Sequence, residues 1–213
     1  MSNEASIAVI GLGNVLLGDD GFGPSVVELL RAGWQFPASV ALIDAGTPGL
    51  DLVNYLDGRE VVVLVDTVAA TGAPGELRLY RGEELRGMPM KPRVSPHDPA
   101  VQEALWIAEF GGSGPRQVDL IGVIPAATDL GTGLSAPVRE AACAAAVLVV
   151  QELTKNGAAP APLRQPRSPD AWWMRAQPEE PGAESSGNAR SAARNGWVRV
   201  SRNSRTSSSG GSA

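Results

Sequence analysis

The sequence predicts an α/β fold: a three-layer, mostly parallel five-stranded twisted sheet with helices on both faces, one strand being an edge or an antiparallel one. Three observations lead there. Short β-branched runs alternate with helical patterns through the first 155 residues, the order expected of strand–helix–strand units. The run Glu60-Val-Val-Val-Leu-Val65 is apolar on both faces, as suits a central strand covered from both sides. An alanine-rich segment, Pro137–Leu153, closes the pattern with small residues that let a helix approach the sheet closely.

The individual elements follow in order. Ser6–Leu12 is a buried first strand that ends in glycines. Pro24–Ala32 is a helix, with Val26, Leu29 and Leu30 at i, i+3, i+4 spacing. Val40–Ile43 is a short second strand and Leu50–Leu56 a short helix. After the central strand, Glu76–Tyr80 alternates and reads as an edge or antiparallel strand. Asp98–Phe110 is a helix in which Asp98 serves as cap, Pro99 takes the first position, and Val101, Ala104, Leu105 and Ala108 form the inner stripe. Gln117–Ile124 is the last strand.

Composition sets the limits. At 43% hydrophobic residues the 213-residue chain can build a real core, mostly from Val, Leu, Ile and Ala because aromatics are scarce. One cysteine permits no intramolecular disulfide and no cysteine-based zinc site, which fits a reducing, cytoplasmic setting. Met1–Ser6 has no basic segment before an apolar stretch, so no secretory signal is expected. The longest apolar run, Ala141–Val150, is ten residues, against the ~20 needed to span a bilayer.

Charge is uneven. Residues 1–155 hold 10 Lys+Arg against 19 Asp+Glu, a net of −9; residues 156–213 hold 8 Arg against 4 Asp+Glu, a net of +4. An acidic domain lacks the basic face that nucleic-acid binding requires. Residues 158–213 are rich in Pro, Ser, Gly, Ala and Arg without periodicity. The expected division is therefore an α/β domain over 1–157 and a disordered, low-complexity tail over 158–213. Trp172-Trp173 and Trp197 interrupt the tail; the plainer reading takes them as stray aromatics, the alternative as docking points.

Three places carry chemistry. The glycine-rich turn Gly11-Leu-Gly-Asn-Val-Leu-Leu-Gly-Asp-Asp-Gly-Phe-Gly23 runs from strand to helix. As a dinucleotide fingerprint it fails, since Leu16 stands where glycine is needed and Asp19-Asp20 would repel a phosphate. Carboxylates there suit a metal, or a cap for the Pro24 helix or the turn before it. Asp66 ends the central strand, on the edge where ligands bind in open α/β sheets. By itself, a loop-organising aspartate is the plainer reading. His97, the single histidine, lies in the proline-bracketed loop Val94-Ser-Pro-His-Asp-Pro99 and on no apolar face. Two carboxylates and an imidazole make a sensible ligand set for a divalent transition metal with open positions. Conventional protease chemistry fits poorly: there is no GxSxG elbow, a lone histidine cannot supply HExxH, and Cys143 reads as a small core residue of the closing helix.

From about Ala8 to Glu152 the chain resembles the hydrogenase maturation endopeptidases. The resemblance rests on the ordered set Gly11–Pro24, Asp44-Ala-Gly-Thr-Pro-Gly49, Val65-Asp66, Ser95-Pro-His97, Gly122-Val-Ile-Pro125 and Gly133-Leu-Ser135. It implies a nickel-binding triad, whose positions here are Asp20, Asp66 and His97. The implied activity is removal of a C-terminal extension from the large-subunit precursor of a nickel hydrogenase, with nickel carried in by the substrate as the recognition signal. The triad would either grip the nickel or also serve a metal-polarised water. The Asp44–Gly49 loop would shape a cleft for an extended peptide, or simply connect strand to helix. The tail departs from the family pattern. Competing expectations are a non-catalytic nickel or precursor checkpoint protein and a nucleotide-binding α/β domain. The favoured reading is a cytoplasmic, monomeric metal-dependent endopeptidase that engages neither membrane nor nucleic acid.

Overall fold

The computed structural model describes residues 5–87 and 101–175, without the side chain of Arg86. The chain divides into a unit over 1–177 and a second over 178–213, the latter outside the described residues.

Strand β1 (Ile7–Leu12) is buried at every position and leads through a 3₁₀ turn, Gly18–Gly21, into α1 (Phe22–Gly33). A two-residue strand β2 (Trp34–Gln35) precedes β3 (Val40–Gly46), α2 (Leu52–Leu56) and β4 (Val61–Thr67). Then come β5 (Leu77–Arg81), the short helix α3 (Gly82–Gly87), α4 (Val101–Phe110) and β6 (Gln117–Val123). Helix α5 (Ala136–Lys155) and a last two-residue strand β7 (Ala161–Pro162) follow.

The main sheet has the order β3-β1-β4-β6-β5, all parallel except the β5–β6 pair. Register runs Ile7 to Val40 and Val61, and Val61 to Gln117. Helices α1 and α5 cover one face over a core that includes Val9, Val63, Phe22, Leu30 and Val149. Helices α2 and α4 cover the other over Ile10, Leu64, Leu56 and Leu105. Alternate residues of β1 and β4 therefore feed opposite cores, and each buried Val, Leu or Ile contributes about 1.5–3 kcal/mol. The chain leaves β1 in one direction to β3 and returns past it to β4, so the crevice between β1 and β4 is the switch point of this sheet.

Two glycines let α1 start directly on the strand ends. A Cβ on Gly23 would stand 2.3 Å from the Leu12 carbonyl oxygen and 2.4 Å from that of Val65. One on Gly11 would stand 2.6 Å from the Gly23 carbonyl. The glycine-rich turn thus works by close helix–strand packing.

The expected fold class, strand order in sequence and antiparallel edge all match the structure. Helix α3 and the β2–β7 pair were not anticipated, being too short to show periodicity. Val101, Ala104, Leu105 and Ala108 do face inward, while Asp98 and Pro99 lie outside the described residues. Cys143 is exposed rather than in the core, because it falls on the outer side of α5 opposite Ala142, Ala145 and Val149.

The boundary expected at residue 157 needs correction. Ala158 is buried, β7 pairs with β2, and the backbone N–H groups of Leu163 and Arg167 donate to the carbonyls of Gly33 and Ala32, each at 2.9 Å. Trp173 is 4% exposed, so it is no stray aromatic. Residues 158–175 form a strap along the end of α1; composition missed it because pairing with existing structure needs few apolar residues of its own. The remaining tail, with Trp197, lies outside the described residues. No described helix is long and apolar enough to cross a membrane.

Candidate active site

Asp20 and Asp66 come together at the β1–β4 crevice. Asp66 is the sixth residue of β4 and points into buried surroundings at the strand's carboxyl end. Asp20 sits in the 3₁₀ turn between β1 and α1. Thr67 links them: its backbone N–H donates to Asp66 Oδ1 at 2.7 Å and its hydroxyl to Asp20 Oδ1 at 3.3 Å. The backbone N–H of Asn14 donates to Asp20 Oδ2 at 2.7 Å.

Gly13 makes this turn possible. It has φ +123°, and a Cβ there would stand 1.8 Å from the Asp20 carbonyl oxygen, so no other residue fits. A cavity of about 200 Å³ opens beside the turn, walled by Gly13, Asn14 and Val15, by Asp44, Gly46 and Thr47, and by Trp172. The Asp44 carboxylate accepts the Gly46 N–H at 3.1 Å, and Gly13 N–H donates to the Gly46 carbonyl at 2.8 Å, which holds the two turns together.

The electrostatics of the pair are unusual. Burial pushes the Asp66 carboxyl up to about 7; the hydrogen bond from Thr67 N–H opposes this, and the charge of Asp20 adds to it. No ion pair among the described residues involves Asp20 or Asp66. Near neutrality one proton is therefore partly retained by a buried acid beside a second acid. Such a pair can exchange a proton with a bound group, or lose it to a divalent cation.

Asp19 does something else. Its Oδ2 accepts from the backbone N–H groups of Ala126 and Ala127, at 2.8 and 3.2 Å, and from the Ser135 hydroxyl at 2.9 Å. Its Oδ1 accepts from Ser135 N–H at 2.6 Å. These bonds clamp the Asp19 turn to the loop between β6 and α5. Neither aspartate caps α1, whose N-cap is Gly21 with no side-chain bond. The cap reading thus gives way to a clamp for Asp19 and a site position for Asp20.

His97 lies outside the described residues, and among the described ones no three His, Cys, Asp or Glu side chains are gathered as a metal site would require. Sequence reasoning missed Thr67 and Asn14, which orient the acids. Thr67 had a signal, since a hydroxyl adjoining a strand-end acid is well placed to hydrogen-bond; Asn14 acts through its backbone, which no side-chain pattern reveals. Cys143 stands apart on α5, and loss of water around its sulfur raises its thiol above the ordinary value, so it is a poor thiolate.

Comparison with known proteins gives the family. A sequence model of the hydrogenase maturation proteases matches residues 24–152. A hydrogenase expression/formation protein, HupM, of Azotobacter chroococcum is 36% identical over 170 residues, 79% of each chain. The hydrogenase 2 maturation protease of Escherichia coli is 30% identical over 152 residues, 71% of this chain and 92% of that one. Among solved structures, the hydrogenase-maturating endopeptidase HybD of E. coli superposes with a TM-score of 0.68 at 30% identity, over 73% of this chain and 96% of its own. A nickel–iron hydrogenase maturation protease, HycI, of Thermococcus kodakarensis gives 0.53 at 27% identity, over 72% and 95%. With a family match over more than half its length and this two-acid crevice at the sheet's switch point, the chain belongs to the hydrogenase maturation protease family.

Proposed function

We propose that the protein is an endopeptidase that removes the C-terminal extension of a nickel-loaded hydrogenase large-subunit precursor, and that the nickel already in the precursor is its recognition signal. Asp20, Asp66 and His97 hold that nickel. The observation that carries the reading is the buried Asp66 carboxyl, pushed up to about 7 beside Asp20 with no described cation against either. A site that keeps two acids close and unneutralised is suited to a cation that arrives from outside. Carboxylate oxygens with an imidazole nitrogen are a donor set that divalent transition metals accept.

In this reading Thr67 and Asn14 aim the two carboxylates, and the Asp19 clamp fixes the turn that carries Asp20. Binding displaces the proton on Asp66, so affinity rises with pH through about 7. Held by Asp20, Asp66 and His97, the metal would anchor the precursor, and the chemistry it could add there is Lewis acidity. The Asp44–Thr47 turn walls the adjoining cavity and suits an extended peptide.

The test is incubation with nickel-loaded and nickel-free precursor, followed by the mass of the large subunit. Shortening of the loaded form alone is expected. Equal shortening of both forms overturns the nickel signal, and binding without shortening leaves a checkpoint protein that holds the precursor.

A further inference from the structure

We propose that Trp172 is a substrate-positioning residue, the wall against which an apolar side chain of the precursor's C-terminal segment packs as the scissile bond approaches the two acids. The inference rests on the endopeptidase reading and adds a contact beyond the segment that the family model matches, which ends at residue 152.

The strap that begins at Ala158 runs beside α1 and ends in a 3₁₀ turn, Trp172–Met174. That turn is braced: Met174 N–H donates to the Ala171 carbonyl at 2.9 Å, Arg175 N–H to the Trp172 carbonyl at 3.1 Å, and Arg175 pairs with Asp170. Trp173 is the anchor, 4% exposed. Trp172 stands edge-on to it, with ring centroids 5.8 Å apart and planes at 87°, and is 59% exposed. Met174 lies over Gly133, where a Cβ would be 3.2 Å from its sulfur and its terminal methyl. The strap therefore touches two loops that frame the site: the Gly13–Val15 turn through the cavity it shares with Trp172, and the loop leading to the clamped Ser135.

An indole left more than half exposed on a turn pinned by its buried neighbour is held open toward the cavity, and a rigid aromatic gives contact area at little entropic loss. Another wall is the turn whose Asn14 N–H holds Asp20, so the first acid is one hydrogen bond removed from the cavity lining. The volume, about 200 Å³, suits one or two side chains of an extended segment rather than a folded domain.

The experiment compares wild type, Trp172→Ala and Trp172→Phe as full-length proteins. It measures steady-state cleavage of nickel-loaded precursor and, in parallel, equilibrium binding of nickel-free precursor. For Trp172→Ala the expected result is a KM and a Kd raised about tenfold, kcat within twofold and an unchanged melting temperature, with Trp172→Phe recovering most of the loss. Replacing the apolar residues flanking the precursor's scissile bond by Ser should mimic Trp172→Ala and add nothing to it. KM and Kd within twofold of wild type in Trp172→Ala overturn the proposal, as does a fall confined to kcat. If wild type binds but does not cut, the endopeptidase reading fails while the Kd comparison still decides the role of Trp172. If wild type neither binds nor cuts, both fall.

Discussion

Two pairs of carboxylates flank the sheet toward opposite ends, in opposite surroundings. In the amino-terminal half of β6, Asp119 is buried and accepts hydrogen bonds from Gln117 Nε2 at 2.8 Å and Arg81 at 3.4 Å. Beside it, buried Glu152 of α5 takes both Arg81 nitrogens, at 3.1 and 3.2 Å, and Lys155 at 2.8 Å. Burial would raise the Glu152 carboxyl, but the hydrogen bonds from Arg81 and Lys155 bring it below its ordinary value. At the carboxyl edge, Asp66 meets another acid instead of a guanidinium, and its carboxyl is pushed the other way. The chain supplies cations to Asp119 and Glu152 and four hydrogen-bond donors to Asp19, but neither kind of full satisfaction to Asp66. The edge that carries Asp66 is the one where sheets of this kind bind ligands.

The largest expected effect concerns the unneutralised pair. Asp20→Ala, Asp66→Asn and His97→Ala should each lower processing of nickel-loaded precursor by about a hundredfold or more while the proteins stay folded, since losing a metal ligand removes a bond the complex needs. Mass spectrometry of the precursor and circular dichroism of the variant separate the two properties. Normal processing by Asp66→Asn would break the contrast between the two carboxylate pairs. Loss of folding in all three would assign the crevice a structural task.

Disrupting Asp19 or the paired end should instead cost stability. Asp19→Ala removes a buried acceptor of four hydrogen bonds and should lower stability by about 3 kcal/mol or more. Arg81→Ala should cost about 1–3 kcal/mol; Arg81 is 48% exposed and Lys155 still reaches Glu152, so solvent and the second cation soften the loss. Urea denaturation measures both. Truncation after Gly157 belongs with these, because it removes β7 and the buried Trp173, whereas truncation after Arg175 keeps every described contact.

A subtler effect lies in pH. The Asp66 carboxyl has an ordinary value of 3.8 and a folded value of about 7. Below about 4 it is protonated in both states and contributes nothing to the balance. As pH rises from 4 to 7 the unfolded chain releases the proton while the folded chain keeps it, so stability declines; above 7 the full cost of the buried charge is present. Asp66→Asn should therefore match wild type near pH 4 and exceed it at pH 8 by at most a few kcal/mol. Equal stability at both pH values would show that the folded crevice does not hold the proton. Smallest of all, Cys143→Ala should process precursor at the wild-type rate, because the thiol is exposed on α5, lines no part of the cavity and is poorly ionised.

The sheet was legible because its strands are apolar and β-branched, helix α1 because its inner face repeats with helical period, and α5 because it is rich in alanine. Asp66 was legible as a candidate from its place at the carboxyl end of the central strand, the edge where ligands bind, although a loop-organising role is the plainer reading of that residue alone. Asp20 was identified together with Asp19 in one motif, and nothing local divides their tasks. His97 remains a proposal carried by the family resemblance and lies outside the described residues.

By itself, then, the sequence determined the α/β class, the central strand, the alternating strand β5 and the acidic ends of β1 and β4, since all of these follow from local period and residue type; the antiparallel direction of β5 is seen only in its pairing with β6. Tertiary structure alone decided which aspartate clamps and which faces the crevice, because the bonds that hold Asp19 come from Ala126, Ala127 and Ser135, more than a hundred residues away. It also decided that Trp173 is buried and Trp172 open. The strap gains its order from hydrogen bonds to Ala32 and Gly33 and from pairing with β2, and such long-range partners leave no periodic trace in the segment that uses them.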